Sequence, residues 1–431
     1  MWLKMGLSFA GKSIIAICAV PGLFADAFAS GQPKEITLWR HQTGTNEMRA
    51  SADQVARFNQ SQQQWKVVVE SLPQASYTES ITAAALARQL PCILGVDQPT
   101  VPNFAWSGFL QPLFPLLAPS TYQGLSVGGR GMYQNQLYSV GPFDVALTLF
   151  TRYSILERFQ IRVPTLSSPW TKEEFDSALQ KLKASGEFSY PLDINAAWGD
   201  EWPSYGWAPL MQSFGADLID RATYVEAEGI LNSPKAVEFA DWLSQLVEFG
   251  MIDRRPADSQ GFINGRTAIH YTGSWSVRDY QQAFGEDLAI LPVPDMGQGP
   301  VIGGGSWQWA ITTSCKVPDG AAAFIDFVMQ PEEIALFSKS TGFIPRKSSA
   351  AELTANYNIE GQWRVFYEFT KRYTVNRPAT PAYAIISASF AKAMRDTLDG
   401  GEPQEELDMA VDNIERSIYN NRGFGFSLPQ E

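Results

Sequence analysis

The sequence predicts an α/β protein with two domains, on three observations. The chain has 431 residues, more than one ordinary core, since domains usually run to about 100–200 residues. Strand-like and helix-like segments alternate along it, as they do where sheets are covered by helices. No Pro/Gly/Ser-rich linker separates two independent halves. The chain is therefore expected to cross between its two domains several times.

The N-terminus reads as an export signal. Lys4 and Lys12 precede an apolar run of about 12 residues, SIIAICAVPGLF at 13–24, and Ala27-Phe28-Ala29 follows. That is the small-x-small pattern of a signal-peptidase site. Cleavage is expected after Ala29, placing the mature protein in the periplasm. The run is short of the ~20 residues a spanning helix needs. An uncleaved anchor is the alternative, and Cys18, preceded by Ile17, reads as part of the apolar run.

The elements follow in order. Residues 35–39 (EITLW), 66–69 (KVVV) and 92–96 (CILGV) read as strands. Residues 47–60 carry Ala52, Val55, Ala56 and Phe58 on one helical stripe. The opening is therefore a β-α-β-α-β unit with parallel strands. Thr171-x-x-Glu174 is a capping box ahead of Phe175, Leu179 and Leu182. Ser233-Pro234 starts a second helix, with Phe239, Trp242, Leu243 and Leu246 on its face and Gly250 at its end. Residues 289–293 form a short strand, and two helices, 319–329 and 332–340, are split at Pro331. Leu407, Val411, Ile414 and Ile418 make a last helical stripe.

Composition narrows the function. Apolar residues are 45% and charged residues 18%, with a formal charge of -12. The chain is globular, and without a Lys/Arg surplus a nucleic-acid partner is not expected. Its two histidines, His41 and His270, and three cysteines, Cys18, Cys92 and Cys315, are too few for an ordinary zinc site. No metal, cofactor or catalytic residue is expected: GxSxG, HExxH, Walker and Rossmann motifs are all missing. Cys92 and Cys315 read as two separate buried thiols, with a disulfide as the alternative in an oxidising compartment.

Several short segments then occur in a recognisable order. They are Leu90-Pro91-Cys92-Ile93-Leu94-Gly95-Val96-Asp97, NQLYSVGPFDVALTLFTR at 135–152, and LNSPKAV at 231–237. After them come Phe262-Ile263-Asn264-Gly265-Arg266-Thr267-Ala268-Ile269, Gly273-Ser274-Trp275, GGGSW at 303–307 and Thr341-Gly342-Phe343-Ile344-Pro345-Arg346. Together they resemble the family 1 extracellular solute-binding proteins, the maltose-binding-like receptors of ABC importers. The resemblance covers essentially the whole mature chain. Cys92 departs from it by replacing an acid, and Thr151-Arg152 by replacing Tyr-Asn.

The resemblance implies a two-lobe periplasmic-binding-protein clamp. Each lobe is a sheet flanked by helices, with three inter-lobe crossings near 141–144, 295–303 and 341–346. The N-terminal lobe would hold residues 30–143 and 301–345, the C-terminal lobe 144–300 and 346–431. It further implies a soluble, monomeric receptor that closes on a carbohydrate (oligosaccharide, glycoside, sugar or polyol) and delivers it to a membrane permease driven by an ATPase. Two rivals stay open: an exported glycosidase-type enzyme, and a receptor for a non-sugar solute.

A sugar needs flat aromatic surface plus oriented polar groups. Trp275 and Trp307 each follow a glycine turn and are candidate stacking groups. Both are also candidates for core packing or a plain hinge, and Trp309 would share a face with Trp307 on a strand. Gly303 to Gly305 would let backbone N–H groups approach a ligand. His41 and Gln42 end the first strand and Asp97 the third, at carboxyl ends where open α/β sheets bind ligands. Asp144 and Arg346 sit at predicted crossings. Arg346 with His41 would suit an acidic sugar. Trp198, in the Trp- and acid-rich stretch 195–202, completes the set.

Overall fold

The computed structural model describes residues 32–199 and 201–428. The signal segment and its expected cut after Ala29 lie outside the described residues. The first strands are β1 (Lys34–His41), β2 (Trp65–Leu72), β3 (Ile93–Asp97), β4 (Arg130–Tyr133) and β5 (Gln136–Val140). Next come the two-residue β6 (Phe143–Asp144), then β7 (Leu147–Arg152), β8 (Tyr190–Asp193), β9 (Thr267–Gly273) and β10 (Leu288–Leu291). The last are β11 (Ile302–Gly304), β12 (Trp307–Ile311), β13 (Ile344–Pro345) and β14 (Thr374–Asn376).

Two main sheets result. The six-stranded one runs β2-β1-β3-β12-β5-β4 and the four-stranded one β10-β7-β9-β8. β1 is parallel to both β2 and β3, as the opening β-α-β-α-β pattern predicts. β12 enters antiparallel between β3 and β5, a pairing of distant segments that no local pattern announces. Two small ribbons, β6 with β13 and β11 with β14, join segments outside the main sheets. The chain passes from the larger sheet to the smaller between β5 and β7, through β6. It returns between β10 and β12, through β11.

Helices cover both sheets. Ile36, Leu38, Val67, Ile93 and Ile311 of the larger sheet pack with Phe324 and Ile325 of helix Pro318–Val328. Strand β9 is buried at every position, as a strand covered on both faces must be. Against its sheet lie Phe239, Leu243 and Leu246 of helix Pro234–Glu248 and Leu407, Val411, Ile414 and Ile418 of helix Pro403–Asn420. The caps form as their sequences dictate. Thr171 Oγ1 accepts from the Glu174 N–H at 3.3 Å, and the Glu174 carboxylate accepts from the Thr171 N–H at 3.1 Å. Ser233 caps its helix with Pro234 in the first turn.

The expectation of separate thiols is overturned: Cys92 and Cys315 form a disulfide. Cys92 directly precedes β3 and Cys315 follows β12, and these strands are antiparallel neighbours with Ile93 opposite Ile311. Their pairing reduces a separation of 223 positions to a Cα–Cα distance of 4.2 Å. Among the described residues no helix is long and apolar enough to cross a membrane.

Candidate functional site

One cavity of about 850 Å³ collects residues from the ends of both main sheets. β1 and β3 are parallel, so their carboxyl ends lie at one edge and present His41 and Asp97 there. β12 runs the other way, so its first residue, Trp307, falls opposite Asp97 at the same edge. This is where open α/β sheets offer backbone ends and loops to a ligand. The His41 ring stacks on Trp307, with centroids 3.5 Å apart and planes 20° from parallel. Burial, with help from the Arg40 charge, drops the imidazole to about 3, so His41 is uncharged at neutral pH.

The facing wall comes from segments beside the smaller sheet. Trp198, Trp202 and Tyr205 follow β8, and Trp275 follows β9. Trp198 and Trp275 stack with centroids 6.5 Å apart. Trp202 is pinned by its indole N–H, which donates to the Ile194 carbonyl at 2.9 Å, and is only 6% exposed. Trp198 is 38% exposed and is the free face of this cluster. Gly273 explains the position of Trp275: the indole folds back over it, and a Cβ there would overlap the ring. A π-helical turn, Pro203–Trp207, carries Tyr205 into the lining, and such turns are often found at functional sites.

Charge at the cavity floor centres on Arg377, just past β14. Its guanidinium donates to Asp97 Oδ1 and Oδ2, each at 2.8 Å, and to Glu201 Oε1 at 2.7 Å. It also lies over the Tyr205 ring, 5.1 Å from the centroid. Burial opposes its charge, yet Asp97 and then Glu201 outweigh that and hold it above the usual arginine range. Glu201 further accepts from the Tyr383 hydroxyl and from Ser387 Oγ at 2.9 Å. Enclosure raises its carboxyl to about 7, against the attraction of Arg377, although a third of the side chain stays open to the cavity. Beside β1, Glu47 is held by Arg40 at 2.9 Å and by Thr43 at 2.8 Å.

Residues 53–361 match the family described as bacterial extracellular solute-binding protein. The chain belongs to that family.

Relatives of this solute-binding protein include the sn-glycerol-3-phosphate-binding periplasmic protein UgpB of Yersinia enterocolitica. It is 22% identical over 93% of this chain and 95% of its own length. The UgpB of Yersinia pestis is 24% identical over 80% of this chain and 82% of its own. Among solved structures, the cyclic alpha-maltosyl-1,6-maltose binding protein of Arthrobacter globiformis superposes with a TM-score of 0.74. It is 22% identical and covers 90% of this chain and all of its own. The maltose/maltodextrin-binding domain MalE of Bdellovibrio bacteriovorus, bound to maltotriose, also gives 0.74, at 20% identity, with 89% and 100% covered. These likenesses establish the α/β fold of the solute-binding proteins for this chain.

Of the residues singled out in the sequence, this solute-binding protein gathers Trp275, Trp307, Asp97, His41 and Trp198 around the cavity. The other three lie elsewhere. The Arg346 side chain is 1% exposed and pairs with Asp144 at 3.1 Å, because β13 and β6 run side by side. Gln42 is exposed and donates to the Ser71 carbonyl at 3.5 Å. The suggestion that Arg346 and His41 suit an acidic sugar loses both its cations: one is locked away from the cavity, the other neutral. Gly303 and Gly304 serve packing, since a Cβ on them would meet Tyr205 and Asn376. Trp309 packs into the sheet core near Phe324. Arg377, Glu201 and Tyr205 were not singled out. Glu201 lies in the Trp- and acid-rich stretch that drew attention to Trp198, whereas Arg377 follows a three-residue strand with no local signal.

Proposed function

We propose that this protein is the exported receptor of an ABC importer, delivering a carbohydrate held in the 850 Å³ cavity to a membrane permease and its ATPase. The observation that carries the reading is the pair of aromatic walls. Trp307, backed by the buried His41, on one side and Trp198 with Trp275 on the other offer flat faces to sugar rings. Asp97, Glu201 and Thr43 supply hydroxyl-binding oxygens between them. The volume lies within the range of small-molecule sites. The names of its relatives, sn-glycerol-3-phosphate-binding and maltodextrin-binding, fit a polyhydroxylated solute.

We further propose that the two sheets are the centres of two lobes, 30–143 with 301–345 and 144–300 with 346–431, that close over the solute by a hinge. The apolar clusters support this division. Residues 36–140 and 310–329 build one set, and residues 146–296 and 351–424 fall in the other. Ile302 and Ile344, on the ribbons, join the second. The mature protein is read as monomeric and periplasmic, released by cleavage after Ala29.

The glycosidase alternative meets an obstacle. Asp97 and Glu201 both bind the same Arg377 nitrogen, so they are close enough for the pair of carboxylates a retaining enzyme uses. The guanidinium, however, occupies the space between them where a scissile bond would have to sit. Thermal unfolding against a panel of sugars and polyols tests the reading. One class should raise Tm by several degrees, at roughly 2–4 °C per kcal/mol, and be recovered intact. Turnover of an excess would establish an enzyme instead.

A further inference from the structure

The charged groups facing the cavity do not divide evenly. Asp279, in the first turn of helix Val277–Phe284, is exposed and makes no ion pair among the described residues. Glu201 keeps a third of its side chain open. Of the two arginines that line the cavity, Arg377 is engaged by carboxylates, whereas Arg278 makes no ion pair among the described residues and its Nε has no partner. Arg377 is 4% exposed and spends its terminal nitrogens on Asp97 and Glu201. Arg278 donates to the Lys339 carbonyl and lies over the Trp363 ring, 5.4 Å from its centroid. No lysine lines the cavity among the described residues, and His41 is neutral. A solute entering here meets the open carboxylate of Asp279 and that of Glu201, which is fully ionised only above about pH 7, in a concave site where charge is less screened than at an open surface.

We infer that the cavity selects its solute by charge as well as by shape: it takes an uncharged or amino-bearing carbohydrate and rejects phosphorylated or carboxylated ones, with Glu201 and Asp279 as the residues that set this preference. The inference rests on the carbohydrate reading above and narrows it. Arg278 is the one group that opposes it, and it offsets a single acid.

The test uses matched solutes and isothermal calorimetry on the whole protein. Maltose is compared with maltose 1-phosphate, glucose with glucosamine, glucose 6-phosphate and glucuronate, and glycerol with sn-glycerol 3-phosphate. At pH 8, where Glu201 is ionised, the neutral or amino member of a binding pair should be at least tenfold tighter than the anionic member at low salt. The gap should shrink at 0.5 M NaCl, and Asp279→Asn, alone or with Glu201→Gln, should narrow it at least threefold. Anionic members that bind as tightly as their partners, or more tightly with loss in Arg278→Gln, overturn the charge selection while leaving a carbohydrate receptor. Binding confined to neutral or cationic non-sugar solutes overturns the carbohydrate reading and keeps the selection. Binding of inorganic phosphate or citrate, with no sugar of either kind, overturns both.

Discussion

His41 shows how one side chain combines position, burial and chemistry. It ends β1, lies 4% exposed and stacks on Trp307. Its folded pKa, about 3, lies below the unfolded value of 6.5. The stability it contributes is thus fully present above pH 6.5 and is lost as pH falls toward 3. His270, lowered in the same direction by burial, adds to the effect. We expect the unfolding free energy to fall between pH 7 and pH 4.5 by up to ~1.4 kcal/mol per pH unit from His41 alone. His41→Gln should flatten that part of the slope in urea titrations at the two pH values; an unchanged slope would remove the role. The tryptophans make a second prediction. Trp275→Ala and Trp307→Ala should each weaken the solute at least tenfold, ~1.4 kcal/mol or more. Trp309→Phe, half-buried against the sheet core and outside the cavity lining, should leave affinity within about twofold.

Strand β12 is the element that ties the cavity edge of the larger sheet to the rest of the fold. Trp307 stands at one end of it, beside Asp97, and the disulfide closes the other end. The bond spans 223 positions, so in the unfolded chain it closes a long loop, and loss of a native disulfide typically costs about 2–5 kcal/mol. Replacing both cysteines by serine should lower unfolding free energy by that amount under oxidising conditions and not further under reducing ones. A double variant as stable as the parent would show that ladder pairing alone holds β3 against β12. Gly273 plays the corresponding part on the opposite wall. It leaves room for the Trp275 ring to fold over the end of β9, so the orientation of this cavity wall depends on a missing side chain.

The molecule brings together at one cavity segments that lie more than 300 positions apart, from His41 to Arg377. If the two sheets belong to lobes joined by a hinge, ligand must shift the balance between open and closed forms by its differential affinity for them. A saturating sugar should then reduce the radius of gyration in small-angle scattering, with the same solute producing the Tm rise. A binding solute that leaves the scattering curve unchanged would show that the cavity is preformed.

The elements were legible because their causes are local. Thr171 with Glu174 writes a cap, Ser233-Pro234 a helix start, and the spacing of Leu407, Val411, Ile414 and Ile418 a buried stripe. The first three strands and their parallel order follow from a short β-α-β-α-β repeat. The carboxyl-end rule then pointed to His41 and Asp97, and glycine turns to Trp275 and Trp307. The partners of those residues were not legible. Arg346 looked like a ligand donor until β13 paired with β6 and delivered it to Asp144. Cys92 met Cys315 only through the β3–β12 ladder. Arg377 reached Asp97 across 280 positions. Propensity, capping and periodicity act over a few residues and are written in the chain. Ion pairs, disulfides and cavity walls depend on which distant segments become neighbours, and that is settled when the sheets assemble and bury their apolar faces.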